Sequence, residues 1–365
     1  MNVTFSVRLK YGTVLTELIT MSSKGLHMEV RPLVASAANY TRMLDAYAFV
    51  RRKLTKCQVA ILVYHRVSPA EDGRYLQPVG PDSFRKQIKY IAEHFEILRL
   101  DQLVALIRSA RSLPERAAVI TLDDGYKDNY QYAYPLLQQY EIPVTMFVAT
   151  GHLDNGELFW WDRVEHILKQ TTKRQLDLEP LGNYRLEPEN RRFHAIFSIN
   201  EKLKRIPDDR KNLLVDKLSR ICEVKTQRSL GREVLLSWED VREMDRGGVA
   251  FGAHSVNHPI LTNMPLERAR DEIVESKRVL EKRLGKVVMS FSYPNGDFDA
   301  SIADLVTRNG FTCAVSVGAG RLISLADDVY GLNRICPDEN YGKFKAMLSG
   351  LGGDAKGAWH ALRGK

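Results

Sequence analysis

Short apolar runs alternate with amphipathic stretches along most of this chain, and the two patterns predict different elements. Residues 59–67 (VAILVYHRV), 117–124 (AAVITLDD) and 142–150 (IPVTMFVAT) are continuous apolar runs of strand length, rich in β-branched residues, as expected of strands covered on both faces. Between them, 82–95 (DSFRKQIKYIAEHF) has helical spacing with Asp82 or Ser83 as cap, and 101–110 (DQLVALIRSA) is a helix begun by Asp101. Residues 95–100 (FEILRL) predict a strand, and 130–140 a helix interrupted early by Pro135. The alternation resumes after residue 237. A helix is predicted from Trp238, a strand over 249–255 and a long helix over 265–285, with Pro265 near its first turn and Gly285 at its stop. Strands follow at 287–294 and 311–317 around a helix at 303–310, then an extended piece at 329–337. Strand-then-helix repetition implies a parallel sheet or barrel with helices outside.

Two segments depart from this rhythm. Residues 157–235 are highly charged and helical, with no convincing buried strand, and are read as an insertion. Residues 33–54 place Leu33, Tyr40, Leu44, Tyr47 and Val50 at helical spacing ahead of the first strand. The expected organisation is therefore a basic helical extension at 1–56, a main domain at 57–345 holding the insertion, and a basic, Gly-rich tail at 346–365.

The length of 365 residues suits one large domain with insertions or two domains, and 44% hydrophobic with 27% charged residues excludes collagen-like or wholly disordered chains. Cys57, Cys222, Cys313 and Cys336 stand alone, which speaks against a disulfide framework or a thiolate zinc site. No apolar run of 18 residues occurs, and the N-terminus lacks a clean signal peptide, so a cytoplasmic location, including the inner face of a membrane, is the expectation. Of the net charge of +8, residues 1–60 contribute an excess of six, with Arg51, Arg52, Lys53 and Lys56 clustered. Such a segment is compatible with peripheral membrane contact, but no aromatic interleaving accompanies it, so a solvated helix face is favoured and nucleic acid is not expected as a partner.

The chemistry collects at three predicted strand ends, where parallel α/β folds and barrels place their active sites. These are Thr121-Leu122-Asp123-Asp124-Gly125, His254-Ser255-Val256-Asn257-His258 and Ser292-Tyr293-Pro294-Asn295-Gly296. Adjacent aspartates after a hydrophobic strand are electrostatically costly unless a cation or proton is shared. The His-x-x-x-His spacing lets two imidazoles reach one ion beside a carboxylate oxygen, and two His plus one Asp leave positions open for water and substrate.

With these motifs the sequence resembles the polysaccharide deacetylase family, carbohydrate esterase family 4, from about Ala60 to Ile335. Its members carry T-F-D-D-G, H-[S/T]-x-x-H and R-x-P-[Y/F]-G motifs. Here TLDDG differs only at Leu122, HSVNH fits fully, and SYPNG keeps Pro294 and Gly296. The resemblance implies an α/β fold, an irregular (β/α)7-type barrel, and an enzyme that hydrolyses N-acetyl groups on an amino-sugar glycan or glycolipid, with N-acetylated carbohydrate as its partner. It implies Asp123 as general base, Asp124, His254 and His258 as ligands of one divalent ion (zinc, with cobalt, nickel or manganese as alternatives), and the Asn295 N–H as an oxyanion donor. Ser292 stands where the third motif has arginine, so the charge orienting Asp123 must come from elsewhere, and Arg334 is the candidate. No C-terminal Leu-x-His motif is present; a subgroup with an early Tyr-His motif offers Tyr64-His65 instead, which makes His65 the candidate general acid. Tyr64, Tyr126, Tyr293 and Trp161, with Trp160, are candidate sugar platforms, the alternative for 159–162 being a seam that fastens the insertion. An O-acetyl esterase, a deformylase, or a catalytically silent carbohydrate-binding relative are the competing readings.

Overall fold

In the computed structural model, residues 58–69, 74–318 and 320–350 are described, together with the backbone of three N-terminal strands, β1 (Asn2–Arg8), β2 (Val14–Ser22) and β3 (Gly25–His27). Those strands form an antiparallel sheet, so the N-terminal extension is not helical throughout as the sequence suggested. The helix expected over 33–54, the basic cluster at 51–56 and most of the C-terminal tail lie outside the described residues.

The main domain begins with β4 (Val59–Tyr64), α1 (Pro81–His94), β5 (Glu96–Ile97), α2 (Leu100–Arg108) and β6 (Ala117–Leu122). A π-helical turn at Asn129–Ala133 then leads into α3 (Tyr134–Gln139), and β7 (Val144–Val148) follows. The insertion comprises α4 (Trp160–Gln170), β8 (Gln175–Leu178), β9 (Gly182–Arg185), α5 (Glu189–Leu203), α6 (Asp208–Cys222) and α7 (Arg228–Val234). The alternation then resumes with α8 (Trp238–Arg246), β10 (Ala250–Ala253), α9 (Leu266–Leu284), β11 (Ser290–Ser292), α10 (Ala300–Arg308), β12 (Cys313–Val317), β13 (Leu332–Arg334) and α11 (Tyr341–Leu348).

Seven strands lie side by side in the order β4, β6, β7, β10, β11, β12, β13, every pair parallel. The sheet nearly closes into a barrel: Ile335 N–H donates to the Ile61 carbonyl at 2.7 Å and Val63 N–H to the Ile335 carbonyl at 2.9 Å. This is the irregular (β/α)7 barrel expected. The strand predicted over 95–100 shrinks to two residues on β6, because Leu100 already belongs to α2.

Alternate residues of each strand serve two different cores, as the period of two requires. Ala60, Leu62, Ala118 and Ile120 pack outward with Phe84, Ile88, Leu137, Ile273 and Val306 of the surrounding helices. Ile61, Val119, Phe147, Val315 and Leu332, from five strands, share an inner cluster. Continuing the inner parity up β6 and β13 reaches Thr121, Asp123 and Arg334, so the polar residues at the barrel mouth extend an apolar column. Local signals set several helix ends. Ser237 and Asp240 form a reciprocal capping box on α8, Asp299 caps α10 through Ile302 N–H, and Gly285 ends α9 with φ of 66°.

The insertion has its own core, in which Val164, Ile167, Leu168, Ile196, Ile199, Val215 and Leu218 are fully or almost fully buried, each such side chain contributing roughly 1.5–3 kcal/mol relative to exposure. It is not all helix. β8 and β9 make an antiparallel hairpin in which Leu176 and Leu178 are buried while Gln175 and Asp177 face outward.

Candidate active site

The three motifs meet at the C-terminal mouth of the barrel, on backbone of unusual conformation. Asp124 (φ 74°), Ser255 (61°), His258 (54°) and Asn295 (59°) all adopt the left-handed region, which costs a non-glycine residue roughly 1–2 kcal/mol. Four such residues in the three strand-end motifs mark backbone held in place by its surroundings to aim particular side chains. Gly296, also left-handed, has no alternative: a Cβ there would lie 2.5 Å from the Val317 carbonyl oxygen.

Asp123 is held inside the mouth by a two-pronged ion pair. Arg334 Nη1 donates to its Oδ1 at 2.7 Å and Nη2 to its Oδ2 at 2.6 Å. Both side chains are essentially inaccessible to solvent. The guanidinium also donates to Thr121 Oγ1 at 3.0 Å and Ser292 Oγ at 2.8 Å, and Ser292 Oγ donates in turn to Asp123 Oδ2 at 3.1 Å. Burial pushes the Asp123 carboxyl up, but the Arg334 charge, His254 and the hydrogen bonds from Arg334 outweigh it and hold the group below the usual carboxylate range. Thus Arg334 from β13 stands beside Asp123, and the serine at 292 is a hydrogen-bonding link between the two.

Asp124, His254 and His258 form a second buried cluster. Asp124 Oδ1 lies 3.4 Å from His254 Nε2 and 3.3 Å from His258 Nε2. One donor atom from each residue falls within a 4.8 Å span. His254 Nδ1 is 2.7 Å from the Ser292 carbonyl and donates to it, which leaves Nε2 as the lone-pair nitrogen facing Asp124. Burial and the adjacent His254 bring the His258 pKa down to about 4, so this imidazole is neutral, the state in which it binds a metal. Burial acts against ionisation of Asp124, yet hydrogen bonds to His254 and His258 and the charge of His258 bring its carboxyl well below the ordinary value. Burial likewise disfavours charge on His254, while Asp124 and Asp123 prevail and raise its pKa. One carboxylate and two imidazoles converging in a dry pocket, one with its tautomer fixed from behind, fit a divalent ion.

These residues line a cavity of about 190 Å³ together with His65, Trp160, Trp161, Tyr293, Asn295 and Gly296. Three aromatic expectations need correction. Tyr64 is buried in the barrel–helix core, where its hydroxyl donates to Gln87 Oε1 at 2.9 Å and its ring meets Phe84 edge-on, so it is not a sugar platform. Tyr126 is fully buried: its hydroxyl donates to Asp162 Oδ2 at 2.8 Å and accepts from Trp161 Nε1 at 2.7 Å, with the Arg66 guanidinium 4.4 Å above its ring. It joins the insertion to the barrel. Tyr293 borders the cavity only as buried wall, its hydroxyl donating to the Tyr330 carbonyl and its ring stacked on Phe298. Trp161 does face the site, edge-on to His258 at 4.7 Å, while stacking on Phe159 at 4.5 Å. The 159–162 segment is therefore both seam and cavity wall.

Sequence reasoning passed over Tyr75, Leu76 and Lys204, which also line the cavity. Tyr75 is pinned to the insertion through its N–H to Glu165 Oε2 at 2.8 Å and its hydroxyl to Glu201 Oε1 at 2.5 Å, a pairing between residues 126 positions apart that no local pattern announces. Equally unannounced is the buried Arg66–Asp128 pair at 2.7 Å. Burial pushes Asp162, beneath Trp161, up to about 7.

The sequence model of the polysaccharide deacetylase family matches residues 110–177 and 199–314. Among curated proteins, YxkH of Bacillus subtilis, provisionally described as a polysaccharide deacetylase, is 19% identical over 316 residues, covering 86% of this chain and 80% of YxkH. The poly-beta-1,6-N-acetyl-D-glucosamine N-deacetylase of Staphylococcus aureus is 29% identical over 128 residues, or 34% of this chain and 41% of that enzyme. Among solved structures, the Streptococcus pyogenes deacetylase PplD, in complex with acetate, superposes with a TM-score of 0.56 at 19% identity over 81% of this chain and 99% of that one.

Proposed function

The chain belongs to the polysaccharide deacetylase family, hydrolases acting on carbon–nitrogen bonds, and from that membership we propose that it removes N-acetyl groups from an amino-sugar glycan in a metal-dependent reaction that releases acetate. The observation that carries this reading is the juxtaposition of a buried, ionised carboxylate, Asp123, with the Asp124–His254–His258 cluster on one small cavity. Asp124, His254 and His258 would hold the ion, with zinc favoured by the donor set and cobalt, nickel or manganese as alternatives. Bound there, a divalent ion would supply Lewis acidity toward the acetamido oxygen and lower the pKa of a neighbouring water from about 16 towards 7.

The rest of the chemistry falls to the chain's own residues. Asp123 accepts the proton of the attacking water, and Arg334 keeps that carboxylate charged and oriented. The Asn295 N–H, in the left-handed turn at the cavity wall, is the donor to the tetrahedral oxyanion, a role worth roughly 3 kcal/mol for one well-placed group. His65, half-buried on the same cavity, gives a proton to the departing sugar nitrogen. The products are acetate and a glycan carrying a free amine. Trp161 closes one side of the pocket over the acetyl group and excludes water from it.

The reading is tested by incubating the zinc-loaded protein with β-1,6- and β-1,4-linked N-acetylglucosamine oligomers and following free acetate and new amine together. Equal amounts of both are expected, and prior treatment with a chelator should reduce the rate at least tenfold. Acetate from O-acetylated sugars alone, without amine, would replace the amide reading with an esterase.

A further inference from the structure

A second cavity adjoins the first. It measures about 690 Å³ against 190 Å³ for the catalytic one, and lies between the insertion and the loop after β10. Trp160 borders both cavities, and Asn257, on the wall of the second, immediately precedes the ligand candidate His258. One indole therefore stands between the reacting centre and a much larger space.

The charged groups of that space are largely matched among themselves. Arg163 Nη2 pairs with Asp216 at 2.6 Å, and Arg268 Nη1 reaches both oxygens of Asp209 at 2.7 Å. Glu272 accepts the Val256 and Asn257 backbone N–H groups and the Asn257 side-chain amide. A cavity so neutralised makes little demand for a phosphate or a metal ion, and what it offers between these pairs is neutral hydrogen-bonding groups such as Asn212, Ser219, Gln227 and Asn257. Two further wall residues carry unmet hydrogen-bonding capacity, since Trp160 Nε1 and Thr226 Oγ1 are buried without a partner. Neutral, hydroxyl-rich and larger than one sugar describes the matching ligand.

Resting on the deacetylase reading, we propose that this second cavity binds the sugar residues flanking the one being deacetylated, so that the insertion makes the protein select oligomers over single sugars. Trp160 is the partition past which the chain of sugars runs. Because Asn212 is exposed on α6 at the cavity wall, Asn212→Trp fills the space without touching either core.

Binding of N-acetylglucosamine and its tetramer is measured by calorimetry on the zinc-loaded Asp123→Asn chain with and without Asn212→Trp, and acetate release on the otherwise wild-type pair. The tetramer should bind at least tenfold more tightly than the monosaccharide, and Asn212→Trp should bring that ratio close to one, with the tetramer-to-monomer ratio of kcat/KM collapsing in parallel. Equal affinity for both lengths, or a ratio that Asn212→Trp leaves unchanged, overturns the inference. Length-dependent binding that Asn212→Trp abolishes, with no acetate released from any ligand, would support the cavity as a glycan site and refute the deacetylase reading instead.

Discussion

Asp123→Asn should lower kcat by about 10³-fold, within the range expected when a positioned general base is lost, while leaving the zinc content unchanged. The amide has the carboxylate's shape and keeps one acceptor for Arg334, but it cannot take a proton from water. Its effect on folding separates this account from a structural one. Arg334 is fully buried and would lose its counter-charge, so the variant should also be less stable by about 3 kcal/mol, at the lower end for a broken buried pair. Chemical denaturation checks the second number and acetate release the first. A variant that turns over within tenfold of wild type would remove Asp123 from the role of base.

Arg334→Met addresses the charge that the third motif lacks. A similar volume without the guanidinium leaves Asp123 buried with only Ser292 Oγ as a donor, and stability should fall by about 3–5 kcal/mol. The pH dependence gives the sharper result. In the wild type the Asp123 pKa is depressed, so the pair's contribution to stability is complete above the ordinary aspartate value of about 3.9 and drains away as pH falls through the depressed value. The stability gap between wild type and Arg334→Met should therefore narrow on acidification. Without the arginine, burial becomes the dominant influence on the carboxyl, and the acid limb of the kcat/KM profile should move to higher pH. Arg334→Lys should recover part of the stability and little of the rate, because an ammonium cannot reproduce the two-pronged contact. An acid limb that stays in place would show that Arg334 does not set the charge state of the base.

How far the site could be read in advance depended on whether its residues sit at strand ends. Asp123, Asp124, His254 and His258 were legible because the period and length of β6 and β10 fix where each strand stops, and a parallel barrel brings those stops together. Arg334 was reachable by a charge argument, since a buried carboxylate beside Ser292 required a cation from some other strand. The tyrosines failed for a related reason. Neighbouring residues on a strand point to opposite faces, so Tyr64 lies in the outer core although the chain passes the site at His65. Tyr126, two residues past the cluster, turns beneath the insertion instead of into the cavity.

What stayed illegible was mostly long-range or short. Tyr75 and Lys204 reach the cavity only because the insertion folds over the barrel mouth, and no local pattern carries that geometry. The β8–β9 hairpin did leave a signal, the alternation of Gln175, Leu176, Asp177 and Leu178 before a Pro-Leu-Gly turn, but four residues are too few to stand out within a helical stretch. The π-helical turn at Asn129–Ala133 likewise absorbs the chain ahead of Pro135, where a plain interruption was expected.

The central claim is that Asp124, His254 and His258 hold one divalent ion beside Asp123, and elemental mass spectrometry of the purified protein tests it without knowledge of the substrate. The account predicts one tightly held divalent ion per chain in the wild type, retained in Asp123→Asn and lost in a folded His258→Ala. A folded wild type that holds no divalent ion even after zinc is added, or a His258→Ala chain that holds as much as the wild type, would contradict it.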